Sequence, residues 1–358
     1  MTSIGHLLCL SSLAWFVVAR PSRLPKRDVL PDYAITYAPI SYLFSGEKYF
    51  PSDVATHLQN VVPEVDYVAV GSAGSVNVNN LNSYNNSVYL TADSTPSDSL
   101  PWITSDYGKP DNSTGYSGAP GTIIAVTKNA TTTDVFYFHF YSYNYGGTVL
   151  DINFDDHVGD WEHVMIRFVD GEPYAVYHSQ HGAGSAYYWD VMNFDGGRPI
   201  TYIATGSHAN YATAGTQDYT VALGLVSDHT DAGYGWDITQ NYRGYWYDVG
   251  SGEFSIAGGA STGGTEEATE TADWLLWQGY WGDEQYPTSH FGQYCLFGEC
   301  HYTSGPTGPV AKNLGRTAVC QTENDCVVFD DINDLTHQSK RRRSEDGIGV
   351  ALRKDKKA

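Results

Sequence analysis

The chain has 358 residues, a formal net charge of -21 and an aromatic content of 14%, with 28 Tyr and 37 Gly. Removing the four bases of residues 1–27, and the eight bases and three acids of residues 340–358, leaves 8 bases and 38 acids in residues 28–339, a net charge of -30. So acidic a domain repels phosphate backbones and anionic lipid surfaces, which excludes nucleic acid as a partner and leaves divalent cations and neutral glycans. Many Tyr, Thr and Gly with few charges favour a β-rich globular protein.

The N-terminus has the pattern of a secretory signal. Residues 7–19 form an apolar run of 13 residues, too short to span a bilayer, and small residues stand where cleavage would follow. We therefore predict a signal peptide over residues 1–19, with a buried N-terminal helix as the alternative. Residues 20–27 form a possible propeptide that ends at the dibasic pair Lys26-Arg27. These features predict a protein of the secretory pathway, with no transmembrane segment after the signal is removed.

The remaining pattern predicts mainly strands. Residues 33–39 alternate and end at a Pro, which predicts a strand, and residues 52–62 give the clearest helix, with Ser52 as its cap. Further strands are predicted over these residues: 134–145, 160–168, 174–180, 187–194 and 199–205. Segment 94–121 is rich in Pro, Ser, Asp and Gly, and segment 250–271 is rich in Gly, Ser and Thr, so both indicate long surface loops.

The domain organisation follows from these elements. We find no internal repeat and no domain linker, so the simplest architecture for residues 28–339 is a single domain. Its fold class is mainly β: a single elaborated β-sandwich with long loops and one or two short helices. Residues 340–358 are predicted to be a basic, disordered tail.

Cysteine usage agrees with an oxidising compartment. Four cysteines lie outside the signal: Cys295, Cys300, Cys320 and Cys326. An even number predicts two disulfides, and of the three connectivities we predict the two sequence-local pairs; their spacing is poor for a zinc site. Three sequons predict glycosylation on the surface, at Asn85, Asn112 and Asn129.

The densest group of chemically active side chains is the segment Asp155-Asp156-His157-Val158-Gly159-Asp160-Trp161-Glu162-His163, which runs directly into an apolar strand. Because strand side chains alternate, Asp160 and Glu162 share one face and His163 lies on the other. His157 precedes them in a turn and can approach the same end, and Asp156 can add an oxygen. Oxygen-rich ligation with one His predicts a divalent-metal site that prefers Mg²⁺, Mn²⁺ or Ca²⁺ to Zn²⁺.

Two other interpretations of this segment remain open. In a structural network, Asp160 or Glu162 pairs with Arg167, Arg198 or backbone N–H groups. In a metal-free acid–base pair, Glu162 acts with His163 or with a distant His.

Two later segments place His beside Gly and Ser, where a strand opens into a loop. His178 and His181 lie in the first and His208 in the second, and we predict all three as ligand-binding residues. Gly206 permits a special backbone turn before His208. If the protein is an enzyme, His208 and His163 are the catalytic candidates. The sequence contains no G-x-S-x-G elbow, HExxH, phosphate loop or EF-hand, so it does not establish whether the protein is an enzyme.

Five segments, in order across residues 33–315, resemble the fungal family of vacuolar protein sorting-associated protein sixty-two. They read YAPISYLFSGEKYFPSD (37–53), DDHVGDWEHVMIRF (155–168), YHSQHGAG (177–184), ATGSHANYATAG (204–215) and GPTGPVAKNL (305–314). The resemblance implies a link to the delivery of proteins to the vacuole and specifies no biochemical activity. With the signal peptide, it predicts a secreted or vacuolar-lumen protein.

A shorter similarity passes through the same strand. His157-x-x-Asp160-Trp161-Glu162 resembles part of the GHRHDWE heptapeptide of necrosis- and ethylene-inducing peptide-like proteins, which are secreted β-sandwich cytolysins. That family holds a divalent cation there and recognises sphingolipid head-group sugars, which implies that His157, Asp160 and Glu162 are ligands. This chain departs from the heptapeptide at Val158 and Gly159.

The sequence thus predicts a secretory-pathway protein whose divalent-metal site binds a glycan or glycolipid head group. A metal-dependent hydrolase or lyase acting on glycans is the first alternative. A non-catalytic sorting or cell-surface protein with a structural polar cluster is the second. The oligomeric state is left open.

Overall fold

The computed structural model describes residues 29–94, 100–149, 152–218, 227–261, 271–296, 298–324 and 326–333. The predicted signal peptide (1–19), propeptide (20–27) and basic tail (340–358) lie outside the described residues. Their assignment stays a prediction.

The described residues are mainly β, with two short α-helices, α1 (Asp32–Thr36) and α2 (Val54–Leu58). The strands are β1 (Ile40–Leu43), β2 (Val61–Val65), β3 (Val68–Ala69), β4 (Tyr89–Ala92), β5 (Gly121–Thr127), β6 (Thr132–Asn144), β7 (Gly147–Val149), β8 (Ile152–Phe154), β9 (His157–Val169), β10 (Glu172–Gln180), β11 (Ala183–Tyr188), β12 (Phe194–Asp195), β13 (Arg198–Ile203), β14 (Asn210–Tyr211), β15 (Gly215–Asp218), β16 (Ser227–Thr230), β17 (Tyr234–Asp237), β18 (Asn241–Asp248), β19 (Glu253–Ser261), β20 (Cys295–Leu296), β21 (Glu299–Cys300) and β22 (Val328–Phe329). Short 3₁₀ helices cover Leu81–Ser83, Asp106–Gly108, Trp189–Val191, Ile238–Gln240, Asp273–Leu276 and Pro309–Lys312.

An eight-stranded sheet forms the centre, in the order β19-β18-β5-β6-β9-β10-β11-β22. Its middle strands, β6 and β9, are 13 residues long and almost wholly buried, because both faces of the sheet are covered. Trp161 and Met165 point into one apolar core, and Val164 and Ile166 into another. We call these two sides of the sheet the Trp161 face and the Asp160 face.

A second sheet covers part of the Asp160 face. It runs β12-β13-β1-β17, with β14 paired to β13. Leu43, Ile203 and Trp236 of this sheet pack with Tyr141, which lies opposite Asp160 in the β6–β9 register. The two packed sheets confirm the predicted mainly β, sandwich-like fold, and they enclose the start of β9.

Two predictions near the N-terminus are wrong in detail. A strand was predicted over residues 33–39, but helix α1 occupies most of this segment. The reason is that Tyr33 and Tyr37, one helical turn apart, both pack on Phe168, with ring centroids 4.6 and 6.1 Å from its ring. The predicted helix over 52–62 is shorter, since β2 begins at Val61 and pairs with β4. Its cap is Asp53, which accepts a hydrogen bond from the Ala55 amide.

Two later boundaries also differ. Residues 250–271 include strand β19, which pairs with β18 at the edge of the central sheet and gives its Gly and Ser residues regular partners. The predicted strand over 187–194 is divided: β11 ends at Tyr188 and a 3₁₀ helix follows.

The disulfide prediction is confirmed: Cys295 bonds to Cys300 and Cys320 bonds to Cys326. All three sequon residues, Asn85, Asn112 and Asn129, are exposed, as glycosylation requires. Glycosylation itself stays a prediction. Across the described ranges, no helix combines the length and hydropathy that crossing a membrane demands.

Candidate functional site: a buried polar site on the Asp160 face

Asp160 and His208 form a buried pair between the two sheets. The Asp160 Oδ2 atom lies 3.0 Å from His208 Nδ1, and His208 Nε2 lies 3.1 Å from the Tyr49 carbonyl oxygen. The His208 ring stacks on Tyr141 with a centroid separation of 3.6 Å. Burial alone would lower the pKa of His208, but the hydrogen bond to Asp160 and the charge of Glu47 raise it. Both ring nitrogens face oxygen acceptors, an arrangement that suits a doubly protonated ring beside the Asp160 carboxylate.

The backbone after β13 places His208 at this position. Gly206 has a φ of +71° and His208 itself has a φ of +55°, so the predicted special turn is present. The Gly206 amide donates to Glu47 Oε2 at 2.9 Å, and the other oxygen of Glu47 accepts from the amides of Lys48 and Tyr49. Glu47 is buried and was not predicted as a site residue. Its only signal was its position in the motif of residues 37–53.

Glu162 lies two residues from Asp160 on the same face. Burial, followed by the charge of Asp160, raises the pKa of Glu162 to about 7. Ser179 of β10 donates its hydroxyl to Glu162 Oε2 and accepts the His163 amide at 2.7 Å. This serine joins the polar end of β9 to β10 beyond the last residue pair of their ladder, Val164 with His178.

Several buried polar atoms around the two carboxylates have no hydrogen-bond partner among the described residues. They are both ring nitrogens of His139, the Tyr141 hydroxyl, Asn210 Oδ1 and Trp236 Nε1. His139 lies opposite Glu162 and Tyr141 lies opposite Asp160 in the β6–β9 register. Trp236 reaches over from the second sheet, with its ring 4.6 Å from His139. Buried polar groups are normally paired, so this set points to water, an ion or a ligand between the sheets.

The four predicted metal ligands occupy three places. Asp160 and Glu162 are together, but Asp156 accepts hydrogen bonds from Tyr143, Gly146 and Asn153 in a separate cluster. His157 donates from Nδ1 to the Gly159 carbonyl at 2.7 Å. Within the described ranges, no three His, Cys, Asp or Glu side chains are grouped so that they could hold a metal ion. As placed, these four residues do not form one centre, and the metal site stays a prediction.

The other two histidines predicted to bind a ligand, His181 and His178, have different surroundings. His181 contacts Asp228 at 2.9 Å, and Ser207 and Tyr211 donate to the same carboxylate, forming a second polar cluster beside His208. Burial lowers the pKa of His181, but the bond to Asp228 outweighs it and raises the pKa to about 9. His178 is fully buried, and burial lowers its pKa to about 3.

The arginines proposed for a structural network pair elsewhere. Arg167 binds Asp134 through two nitrogens, and Arg198 binds Asp237 in the same way. His163 lies on the Trp161 face against Phe138, at 4.8 Å, so it points away from Glu162. Asp160 and Glu162 are thus held by His208 and Ser179, neither of which sequence spacing identified as their partner.

A protein-family model described as vacuolar protein sorting-associated protein 62 matches residues 6–245 of this chain. The putative vacuolar protein sorting-associated protein TDA6 of Saccharomyces cerevisiae is 32% identical over 330 residues, which are 81% of this chain and 68% of the relative. Vacuolar protein sorting-associated protein 62 of the same yeast is 31% identical over 339 residues, which are 83% of this chain and 69% of the relative.

Among solved structures, two similar ones are described as NLPPya in complex with mannosamine and as necrosis and ethylene inducing protein 2 from the causal agent of cocoa's witches' broom disease. The first has a TM-score of 0.28 at 13% identity, covering 59% of this chain and 71% of the other. The second has a TM-score of 0.29 at 14% identity, covering 53% and 72%. Similarity at these TM-scores supports no conclusion about this chain. The family model and the two yeast relatives do: the chain belongs to the vacuolar protein sorting-associated protein 62 family.

Proposed function

We propose that this chain is a lumenal or secreted ligand-binding protein of its family, and that the polar site on the Asp160 face binds hydroxyl groups of a neutral glycan or glycolipid head group. One observation carries the proposal. Asp160 and Glu162 are surrounded by buried polar atoms of His139, Tyr141 and Asn210 that lack partners among the described residues. A ligand rich in hydroxyl groups, which both donate and accept, would complete such a set.

The chemistry of the site favours a neutral ligand. Carboxylate oxygens of Asp160 and Glu162 accept hydrogen bonds, whereas Trp236 Nε1 can only donate. The net charge of -30 for residues 28–339 disfavours an anionic ligand beside these carboxylates.

We propose that a ligand approaches from solvent past His181. Its side chain is 30% exposed, and its pKa is raised in part by the charge of Glu162. By contrast, Asp160 and Glu162 are 5% and 4% exposed. A head group that enters beside His181 would therefore meet Glu162 first.

Binding is favoured over turnover by the state of His208. Both of its ring nitrogens are engaged, by Asp160 and by the Tyr49 carbonyl, so it has no free nitrogen to act as a base. The other catalytic candidate, His163, is on the Trp161 face. A metal-dependent hydrolase or lyase is therefore the weaker proposal.

A divalent cation, Mg²⁺, Mn²⁺ or Ca²⁺, is a second candidate occupant. One specific observation favours it: Asp160 and Glu162 place two buried carboxyl groups on one face of β9. Asp160 and Glu162 would hold such an ion by their oxygens and supply hard ligands. The glycan proposal does not depend on it.

The test is a glycan array probed with the purified full-length chain, together with its Asp160→Asn and Glu162→Gln variants. The matched control is Glu172→Gln, an exposed glutamate on β10. We expect the wild type and the control to bind neutral glycans and the two site variants to lose binding. Binding to no neutral glycan, or unchanged binding by both site variants, contradicts the proposal. Metal analysis of the same samples, and a product assay on the bound glycans, separate the cation and hydrolase alternatives.

A further inference from the structure

The opposite side of the central sheet, the Trp161 face, carries buried positive charge. Asp134 is fully buried and accepts hydrogen bonds from Arg167 Nε at 2.8 Å and Nη2 at 2.9 Å, and the Lys128 ammonium lies 3.5 Å away. Arg167 also donates to the carbonyl groups of Thr317 and Ala318. One carboxylate is thus already shared by two cations.

Arg316 adds a third cation to this region, and no carboxylate of the described residues lies within salt-bridge distance of it, although Asp134 and Glu323 act on it at longer range. It is 1% exposed, and its Nε, Nη1 and Nη2 atoms have no hydrogen-bond partner in the part of the chain that the structure describes. Its guanidinium carbon lies 4.6 Å from the Tyr177 ring and 4.9 Å from the Phe136 ring. Phe136 and Tyr177 flank Met165 in one row across β6, β9 and β10, so the guanidinium lies over the centre of the sheet.

His163 lies two residues along β9 from Met165, on the same face. Its ring is 5.6 Å from Tyr177 and 5.7 Å from Phe136, the two rings that Arg316 contacts. Both of its ring nitrogens are buried and, like those of Arg316, have no partner among the described residues. Two independent unpaired donor groups therefore share the same aromatic surroundings.

The segment that carries Arg316 also contains another cation, Lys312. The 3₁₀ helix Pro309–Lys312 ends at Asn313, whose φ of +53° turns the chain back toward Arg316. Lys312 is half-buried, and burial, followed by the charges of Arg316 and Lys312, holds the pKa of His163 well below its usual range, which favours a neutral ring with one N–H to donate. This segment overlaps the GPTGPVAKNL motif, to which the proposed glycan site assigns no role.

An isolated buried guanidinium is strongly unfavourable, whereas its planar fork matches an oxyanion with two parallel hydrogen bonds. We propose that Arg316 and His163 form a binding site for a small oxyanion of the phosphate or sulfate type, with Lys312 adding charge. The site is separate from the proposed glycan site, because the central sheet lies between them. The negative charge of the whole domain slows the approach of an anion but does not remove this local complementarity.

The experiment measures thermal unfolding of the full-length chain in inorganic phosphate and in sulfate, at constant ionic strength, for the wild type and for Arg316→Met and His163→Leu. We expect both anions to raise the Tm of the wild type more than that of either variant. In anion-free buffer Arg316→Met should unfold at the same temperature as the wild type or higher, because Met removes an unpaired buried charge. General stabilisation by phosphate or sulfate would act equally on all three proteins.

Calorimetric titration of the wild type with inorganic phosphate, and separately with sulfate, provides a measurement that does not depend on the variants folding. One saturable site for either anion is expected. Equal Tm shifts in the wild type and Arg316→Met, or no saturable binding of either anion, would overturn the proposal. A sugar phosphate that competes with the bound ion would identify the anion as part of a larger ligand, and lack of competition would identify the free ion.

Discussion

At the scale of single residues, the Asp160–His208 pair is the part of the site whose energetics are best defined. Removing one member of a buried ion pair leaves the other charge uncompensated, which typically costs about 3–5 kcal/mol, whereas removing both is far less harmful. We expect His208→Phe to lower the free energy of unfolding by roughly 3 kcal/mol and Asp160→Asn/His208→Phe to recover much of that loss. Denaturant unfolding of both variants and of Asp160→Asn completes the cycle. Additive losses in the double variant would show that the two groups are not coupled.

Asp283 gives a prediction for pH at the same scale. It is 2% exposed, and burial raises its pKa to about 7, although the Tyr286 hydroxyl donates to it. Between pH 4 and 7 the unfolded state releases this proton and the folded state keeps it, so stability falls as pH rises, by about 4 kcal/mol in all. Below pH 4 and above pH 7 this carboxyl group does not change the stability with pH. We expect Asp283→Asn to be more stable than the wild type at pH 8 and to lose this part of the pH dependence. An unchanged difference between the two proteins from pH 4 to 8 would contradict the assignment.

The face on which each β9 side chain lies was predictable from sequence, because the strand period alone determines it. The two-residue period of a strand places Asp160 and Glu162 on one face and His163 on the other, and the structure shows that division. It did not identify Glu47 or Ser179, because both reach the site from other strands or loops. Such partners depend on how sheets pack, which local spacing does not encode.

At the scale of elements, the start of β9 is held by a close backbone contact. Gly159 has a φ of +69°, and a Cβ at this position would lie 2.3 Å from the Trp281 carbonyl oxygen. Gly252, in the turn between β18 and β19, has a φ of +71° with open space around it. Each substitution, Gly159→Ala and Gly252→Ala, costs about 1 kcal/mol because a side chain disfavours positive φ. Only at residue 159 does the added Cβ also clash, with the Trp281 carbonyl oxygen.

We expect Gly252→Ala to lower the free energy of unfolding by about 1 kcal/mol and Gly159→Ala by about 3 kcal/mol or more. Because Gly159 adjoins Asp160, its variant should also weaken ligand binding. Chemical denaturation of the two variants measures the difference. Equal losses would mean that β9 does not depend on its contact with residue 281.

Elements were predictable from sequence to different degrees. The long buried strands β6 and β9 were predicted to within three residues of their ends, because large apolar residues recur through most of each segment. The segment 33–39 was not, since Tyr33 and Tyr37 suit either a strand or a helix. Their shared contact with Phe168 selects the helix, and that contact joins residues far apart in sequence.

At the scale of the whole molecule, the central sheet separates two kinds of chemistry. Carboxylates gather with His208 on the Asp160 face, while Arg316, Arg167 and Lys128 gather on the Trp161 face. An overall charge of -30 for residues 28–339 conceals this asymmetry, because it averages over both faces and the surface. Composition alone therefore argues against nucleic acid and anionic lipid surfaces as partners, and it does not describe the surroundings of a single buried cation such as Arg316.

The central claim is that Asp160 and Glu162 bind the ligand. The most direct measurement is calorimetric titration of a neutral glycan selected on the array into the wild type, Asp160→Asn, Glu162→Gln and the control Glu172→Gln, each before and after treatment with EDTA. Loss of one hydrogen bond to a charged group is worth about 1.5–3 kcal/mol, so Kd should rise by roughly 10- to 150-fold in both site variants and stay unchanged in the control. Wild-type affinity in Asp160→Asn and Glu162→Gln would contradict the account.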